Sequence, residues 1–136
     1  MTLKGGCSCQ AVQYEITSPE PVVALCHCVQ CQAMSGTVFG TNLMVPASEL
    51  HLSPSSTSAI KKWQRPGSSG ATCTNSFCSN CGTTVFSQTE AENMKAMRFI
   101  KAGTLEDKKW LREHRPVMEI NRPEGVGWVG DLVRQI

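Results

Sequence analysis

The sequence predicts a mainly β fold of small antiparallel sheets with a few short helical turns. Apolar residues recur in short runs with strand periodicity, and proline- or glycine-containing turns separate these runs. No stretch of ten or more residues shows a strong helical pattern. The chain of 136 residues can bury a modest core, so we expect one domain over residues 1–136.

The first half of the chain contains three candidate strands. Residues 12–16 alternate between apolar and polar side chains, which predicts a half-buried strand that ends at Ser18-Pro19. Residues 22–25 form a short apolar run that leads directly into Cys26, and residues 37–45 form a β-rich stretch. Residues 46–50 begin with proline and predict a loop or a single helical turn.

The second half predicts a strand at 59–64 and a turn at 65–70. Residues 71–77 and 83–87 then indicate a hairpin with two cysteines at its tip. Residues 96–102 favour a strand, although Met94, Met97 and Ile100 also fit helical spacing. The last elements are a turn that could open one helical turn and an extended segment, at residues 103–107 and 116–120.

Composition excludes several kinds of partner. The formal net charge is only +2, and the short basic groups have acidic residues nearby, which argues against a nucleic-acid-binding protein. No apolar run reaches the length of a membrane-spanning helix. The first ten residues lack the apolar region of a secretory signal, so we expect a cytoplasmic location.

Cysteine is in large excess, with eight residues in the chain. Disulfides require an oxidising compartment, and the sequence gives no sign of one, so metal binding is the favoured explanation. The spacings strengthen this interpretation, because CxxC turns bring two thiolates to one zinc ion. Seven of the cysteines form three motifs, Cys7-x-Cys9, Cys26-x-Cys28-x-x-Cys31 and Cys78-x-x-Cys81.

The number of ligands suggests two kinds of zinc site. The two isolated pairs can close one tetrahedral site with four protein ligands, as in a structural zinc centre. The triplet supplies only three ligands, which either leaves a position open for chemistry or is completed by Cys73 or His27. His27 stands between two ligands, so we expect it to pack beside the metal site rather than to bind the ion. Cys73 is more typical of a small buried apolar residue than of a nucleophile.

The motifs together resemble the glutathione-dependent formaldehyde-activating enzyme family, which shares its domain with centromere protein V. The resemblance runs from Gly5 to about Trp128. It is carried by GGCSC at 5–9, CHCVQCQ at 26–32 with Ser35, Gly36 and Phe39, FCSNCGT at 77–83 and GTL at 103–105. The chain departs from the family pattern at Gln10, where glycine is common, and at Glu119, where histidine often occurs.

The resemblance implies a β-tent fold and two zinc ions. It implies a structural zinc at Cys7, Cys9, Cys78 and Cys81, and a catalytic zinc at Cys26, Cys28 and Cys31. The implied activity is that of a carbon–sulfur lyase acting on a small thiol–aldehyde adduct, S-hydroxymethylglutathione or a related molecule.

Three functions follow from these observations. The first is the zinc-dependent lyase. The second is a non-catalytic binding module in which zinc only stabilises the fold. The third is a redox enzyme with Cys73 as nucleophile, which is disfavoured because no histidine or arginine is adjacent to lower its thiol pKa. Glu119 is either a carboxylate near the pocket or a strand-edge residue, and the second interpretation is favoured.

Overall fold

The structure, a computed structural model, describes residues 2–122 and Glu124. Strands account for 43% of the residues and helices for 20%, which confirms the predicted mainly β class. The strands in chain order are β1 (Leu3–Gly6), β2 (Gln13–Ile16), β3 (Val22–Cys26), β4 (Gly40–Pro46), β5 (Leu50–Leu52), β6 (Ile60–Pro66), β7 (Thr72–Cys78), β8 (Thr84–Thr89), β9 (Met97–Lys101) and β10 (Met118–Ile120).

The strands form two sheets. Strands β1, β2 and β5 make a three-stranded antiparallel sheet with β2 in the middle. The other seven strands make a larger sheet in the order β10-β3-β4-β9-β8-β7-β6. Its pairs are antiparallel except that β10 runs parallel to β3, with Ile120 opposite Cys26. This register brings the end of the described chain next to a predicted metal ligand.

Two short α-helices lie beside the sheets, α1 (Val29–Ser35) and α2 (Lys108–Glu113). Helix α1 begins where the Cys28 sulfur accepts a hydrogen bond from the Cys31 backbone N–H, and it ends at Gly36, whose φ is 67°. Helix α2 begins at Asp107, whose carboxylate accepts a hydrogen bond from the Trp110 backbone N–H at 2.9 Å. Three 3-10 turns complete the elements, at Ala47–Glu49, Pro54–Ala59 and Ala102–Thr104.

The core lies between the two sheets. Tyr14 and Ile16 of β2 belong to the same buried cluster as Leu43 and Val45 of β4 and Ile100 of β9. Burying a side chain of this size contributes roughly 1.5–3 kcal/mol. The core therefore fixes β4 and β9, the central strands that flank the cysteine triplet.

The predicted strands all occur, each within three residues of its expected bounds. Ile100 pairs with Leu43 across β4 and β9, so the strand interpretation of this region is confirmed rather than the helical one. Strand β1 and helix α1 were not predicted. The turn expected at 103–107, which could open a helical turn, ends at Asp107, where α2 begins. Trp128, to which the family resemblance extends, lies outside the described residues.

Helices among the described residues are too short and too polar for any of them to cross a membrane.

Candidate metal centres and adjoining pocket

Four of the predicted ligands, Cys7, Cys9, Cys78 and Cys81, form one compact cluster. Their sulfur atoms all lie within 4.8 Å of one another. The distance is 3.6 Å from the Cys7 sulfur to the Cys9 sulfur and 3.7 Å from the Cys9 sulfur to the Cys78 sulfur. Four thiolates at 2.3 Å from a tetrahedral zinc ion would be separated by about 3.8 Å. The arrangement therefore fits a zinc ion.

Two tight turns hold these sulfurs in place. After β1, the backbone N–H of Gln10 donates to the carbonyl of Cys7 at 3.0 Å, and Gln10 itself has a φ of 64°. At the tip of the β7–β8 hairpin, the N–H of Gly82 donates to the carbonyl of Cys78 at 2.9 Å, with a Gly82 φ of 75°. A positive φ is the backbone conformation that glycine adopts most readily, so Gln10 occupies a position that suits glycine.

Backbone donors and burial divide the four sulfurs into two kinds. The N–H of Val12 donates to the Cys7 sulfur at 3.2 Å, and the N–H of Asn80 donates to the Cys78 sulfur at 3.4 Å. These two cysteines are fully buried, whereas Cys9 is exposed, as is Cys81 of the second pair. Each pair therefore offers one inner and one outer ligand.

The acidities of the thiols follow this division. Burial raises the pKa of Cys7 to about 11. A hydrogen bond with the Thr83 hydroxyl lowers the pKa of the exposed Cys81 to about 5, and one with the Asn80 side chain lowers the pKa of Cys9. The outer sulfurs are thus the first to be available as thiolates for a metal.

The remaining predicted ligands, Cys26, Cys28 and Cys31, form a second cluster. Cys26 ends β3, Cys28 caps α1, and Cys31 lies one turn into that helix. Their sulfurs also lie within 4.8 Å of one another. No other histidine, cysteine or carboxylate among residues 2–122 joins this group, so Cys73 and His27 do not complete it here. Three ligands with an open fourth position are typical of catalytic zinc.

Polar contacts polarise the three sulfurs. The backbone N–H of Cys31 donates to the Cys28 sulfur at 3.3 Å, and Asn121 Nδ2 donates to the Cys26 sulfur at 3.8 Å. Hydrogen bonds from the Cys26 and Cys31 thiols lower the pKa of Cys28. Hydrogen bonds of Cys31 with Cys26 and Cys28, together with burial, raise the pKa of Cys31. A thiolate is therefore favoured at Cys28, the helix-capping position.

The three-sulfur cluster opens into a pocket of about 390 Å³. This volume falls in the range of small-molecule sites. The rest of the wall comes from strands β4 and β6–β10, from helix α1, and from the loops at 67–69 and 91–94 and the segment after β10. It combines amide and hydroxyl side chains with apolar ones such as Phe99 and Met94. A second cavity of about 650 Å³ lies against Cys31 on one side and against Gly82 and Thr83 of the hairpin tip on the other.

Lys101, the last residue of β9, lines both cavities. Its Nζ donates to the Asn42 Oδ1 at 2.9 Å, and Asn42 is buried in β4. Burial lowers the pKa of Lys101, and the nearby thiols of the triplet act in the opposite direction. Lys101 was not predicted as a site residue, although it lies two positions before the GTL motif at 103–105.

His27 and Glu119 lie together outside the pocket wall. The Nε2 of the buried His27 is 3.6 Å from Glu119 Oε2, and its ring centroid is 5.9 Å from that of Phe39. Glu119 also pairs with Arg122 at 2.9 Å. Because β10 is an edge strand, this arrangement favours the strand-edge interpretation of Glu119 and the packing interpretation of His27.

Cys73 does line the pocket, outside the three-sulfur group. The β6–β7 register places Arg65 opposite Cys73, and Arg65 lines the same pocket. The residues next to Cys73 in the sequence are not basic, and Arg65 meets Cys73 only through the pairing of β6 with β7. Arg65 is therefore a pocket residue that the sequence analysis missed.

The chain is similar to known proteins in sequence and in fold. The family model described as "Glutathione-dependent formaldehyde-activating enzyme" matches residues 2–122. A crystal structure of a Rhodobacter sphaeroides protein superposes with a TM-score of 0.63 at 18% identity, covering 85% of this chain and 98% of that one, which shows a shared fold. No curated protein sequence gave a significant match.

Proposed function

Since the chain belongs to the glutathione-dependent formaldehyde-activating enzyme family, we propose that it is a zinc-dependent carbon–sulfur lyase. The reaction joins a thiol and an aldehyde, R–SH and CH₂=O, into the adduct R–S–CH₂–OH, or splits that adduct. S-hydroxymethylglutathione is the adduct that the family name indicates. The observation that carries the proposal is the three-cysteine cluster, which has no fourth described ligand and opens into a pocket.

The two clusters would have different roles. Cys7, Cys9, Cys78 and Cys81 would hold a structural zinc, because four protein ligands close the coordination sphere. Cys26, Cys28 and Cys31 would hold the catalytic zinc. When bound, that ion would supply an open coordination position that favours the thiolate form of a substrate sulfur.

The residues of the chain would support this chemistry by orientation and charge. Asn121 and the backbone of α1 hold the Cys26 and Cys28 sulfurs through hydrogen bonds. Lys101 offsets the excess negative charge of a three-thiolate site, and its Nζ is fixed by Asn42. A donor held in this way can stabilise the oxygen of the aldehyde as negative charge develops on it.

Zinc content and rate together test the proposal. We expect the purified protein to hold two zinc ions and to accelerate S-hydroxymethylglutathione formation over the spontaneous reaction. In Cys28→Ser one zinc should be lost and the rate should fall to the spontaneous value, while serine still caps α1 and preserves the fold. Metal analysis and NMR of the adduct measure the two quantities.

Cys73→Ser is the matched control, because Cys73 lines the pocket but stands outside the cluster. It should retain both zinc ions and a rate within about twofold of the wild type. A wild-type protein with one tightly held zinc and no rate enhancement would contradict the lyase and favour the zinc-stabilised binding module. A large loss of rate in Cys73→Ser would instead favour a redox function.

A further inference from the structure

Arg65 brings a second positive charge to the pocket beside the three-sulfur cluster. It lies near the end of β6, and its Nη1 donates to the carbonyl of Pro66 at 3.3 Å. Its Nε is buried without a hydrogen-bond partner. A guanidinium has five N–H donors in a planar fork, so most of its hydrogen-bonding capacity remains for a ligand.

Arg65 has no acidic partner among the described residues that line the pocket. The described residues that line the pocket include no aspartate or glutamate. The ion pairs found among residues 2–122 involve neither Arg65 nor Lys101. Lys101 lies close enough to Arg65 for the two charges to repel.

The two cations do not share the same counter-charge. Three thiolates on a zinc ion would carry a net charge of −1, which one neighbouring cation offsets, and the thiols of the triplet interact electrostatically with Lys101. Arg65 is then left as an excess positive charge in the pocket. The surrounding side chains add neutral donors, among them Gln88, Asn93 and Ser69.

We propose that Arg65 binds a carboxylate of the substrate and thereby selects acidic thiols over neutral ones. The inference rests on the proposed function, because it assumes that a thiol enters the pocket at the three-sulfur cluster. A planar carboxylate matches the guanidinium fork and can accept two parallel hydrogen bonds from it. Anchored at Arg65 and at the cluster, the substrate is held at two points, which fixes the direction of its sulfur.

The binding of a carboxylate by Arg65 is tested with a matched pair of ligands. They are 3-mercaptopropionate and its methyl ester. The two share the thiol and the carbon chain and differ in the carboxylate charge. By calorimetry on the zinc-loaded protein, we expect the acid to bind at least about tenfold more tightly than the ester. In Arg65→Gln the two affinities should come within about twofold of each other.

Lys62→Gln is the control variant. Lys62 is an exposed cation on the same strand, and its odd separation from Arg65 directs it to the other face of the sheet. It should keep the full preference for the acid. Thermal melting of each variant checks that Arg65→Gln remains folded.

The outcomes separate the two proposals. Equal binding of acid and ester by the wild type, or an undiminished preference in Arg65→Gln, would overturn the carboxylate site and leave the lyase intact. If neither thiol bound the zinc-loaded protein, both the carboxylate site and the lyase would be overturned.

Discussion

At the scale of single residues, Tyr14 provides a built-in reporter of the core. It is the only tyrosine of the chain, it is buried in β2, and its hydroxyl lies 2.7 Å from the Thr104 hydroxyl oxygen. Burial raises its pKa from about 10 to about 12, because the charged phenolate is poorly solvated there.

We predict that the absorbance of tyrosinate near 295 nm rises with a midpoint near pH 12 in the folded protein and near pH 10 in denaturant.

The unfolded state loses the Tyr14 proton first, so the free energy of unfolding falls as pH rises from 10 to 12. The loss from Tyr14 reaches about 3 kcal/mol once pH exceeds both pKa values. Between pH 9 and 11 it should be about 1.3 kcal/mol, which denaturant titrations at these two pH values measure, and Tyr14→Phe should reduce the difference. A native midpoint near pH 10 would contradict the burial argument.

At the scale of elements, Gly5 sets the distance between β1 and its surroundings. A Cβ at Gly5 would overlap the Tyr14 ring and would lie 2.6 Å from the backbone oxygen of Thr104. Gly103, in the adjoining 3-10 turn, has open space at the same position. The first glycine of the GGCSC motif is therefore required by packing.

We predict that Gly5→Ala lowers the free energy of unfolding by about 1–3 kcal/mol, the usual cost of overpacking a core. Gly103→Ala should change it by less than about 0.5 kcal/mol. Urea denaturation of both variants gives the comparison. Equal effects of the two substitutions would show that backbone entropy, and not the contact with Tyr14, dominates at Gly5.

Local sequence patterns predicted some of these elements well and others not at all. The β7–β8 hairpin was predicted closely, because alternation and a CxxCG turn are local signals. Strand β1 was missed, since two of its four residues are glycine and its pairing with β2 supplies the stability. Helix α1 was missed because its starting signal is the unusual cap residue Cys28, although Gly36 marks its end.

The candidate site shows the same division between local and long-range information. Cys26, Cys28 and Cys31 were predicted as one cluster because six consecutive residues contain them all. Arg65 and Lys101 come from β6 and β9. These strands lie far apart in the chain, and β7 and β8 separate them in the sheet. Their meeting in one pocket depends on the order of strands in the sheet, which local patterns do not determine.

At the scale of the whole molecule, the four-cysteine cluster connects the two sheets. Cys7 directly follows β1 of the three-stranded sheet, whereas Cys78 ends β7 of the seven-stranded sheet. Cys9 and Cys78 are 69 positions apart in the sequence. An ion bound there would act as a cross-link that closes a long loop.

We predict that Cys78→Ser lowers the free energy of unfolding by more than about 4 kcal/mol, because loss of a structural metal is among the most destabilising changes. The near-ultraviolet circular dichroism of the buried Trp110 should weaken accordingly. Cys28→Ser should keep that signal. A Cys78→Ser protein with native dichroism and stability would contradict the cross-linking role.

Two buried and two exposed sulfurs make up this cluster, and this division would also affect how fast a bound metal ion exchanges. Cys7 and Cys78 face the core, so a competing thiol in solution can reach an ion there only past Cys9 and Cys81. Those two ligands would be displaced first, while the inner pair still holds the ion. Exchange would then proceed stepwise through a half-released ion, and the cluster could combine tight binding with rapid transfer to an acceptor thiol.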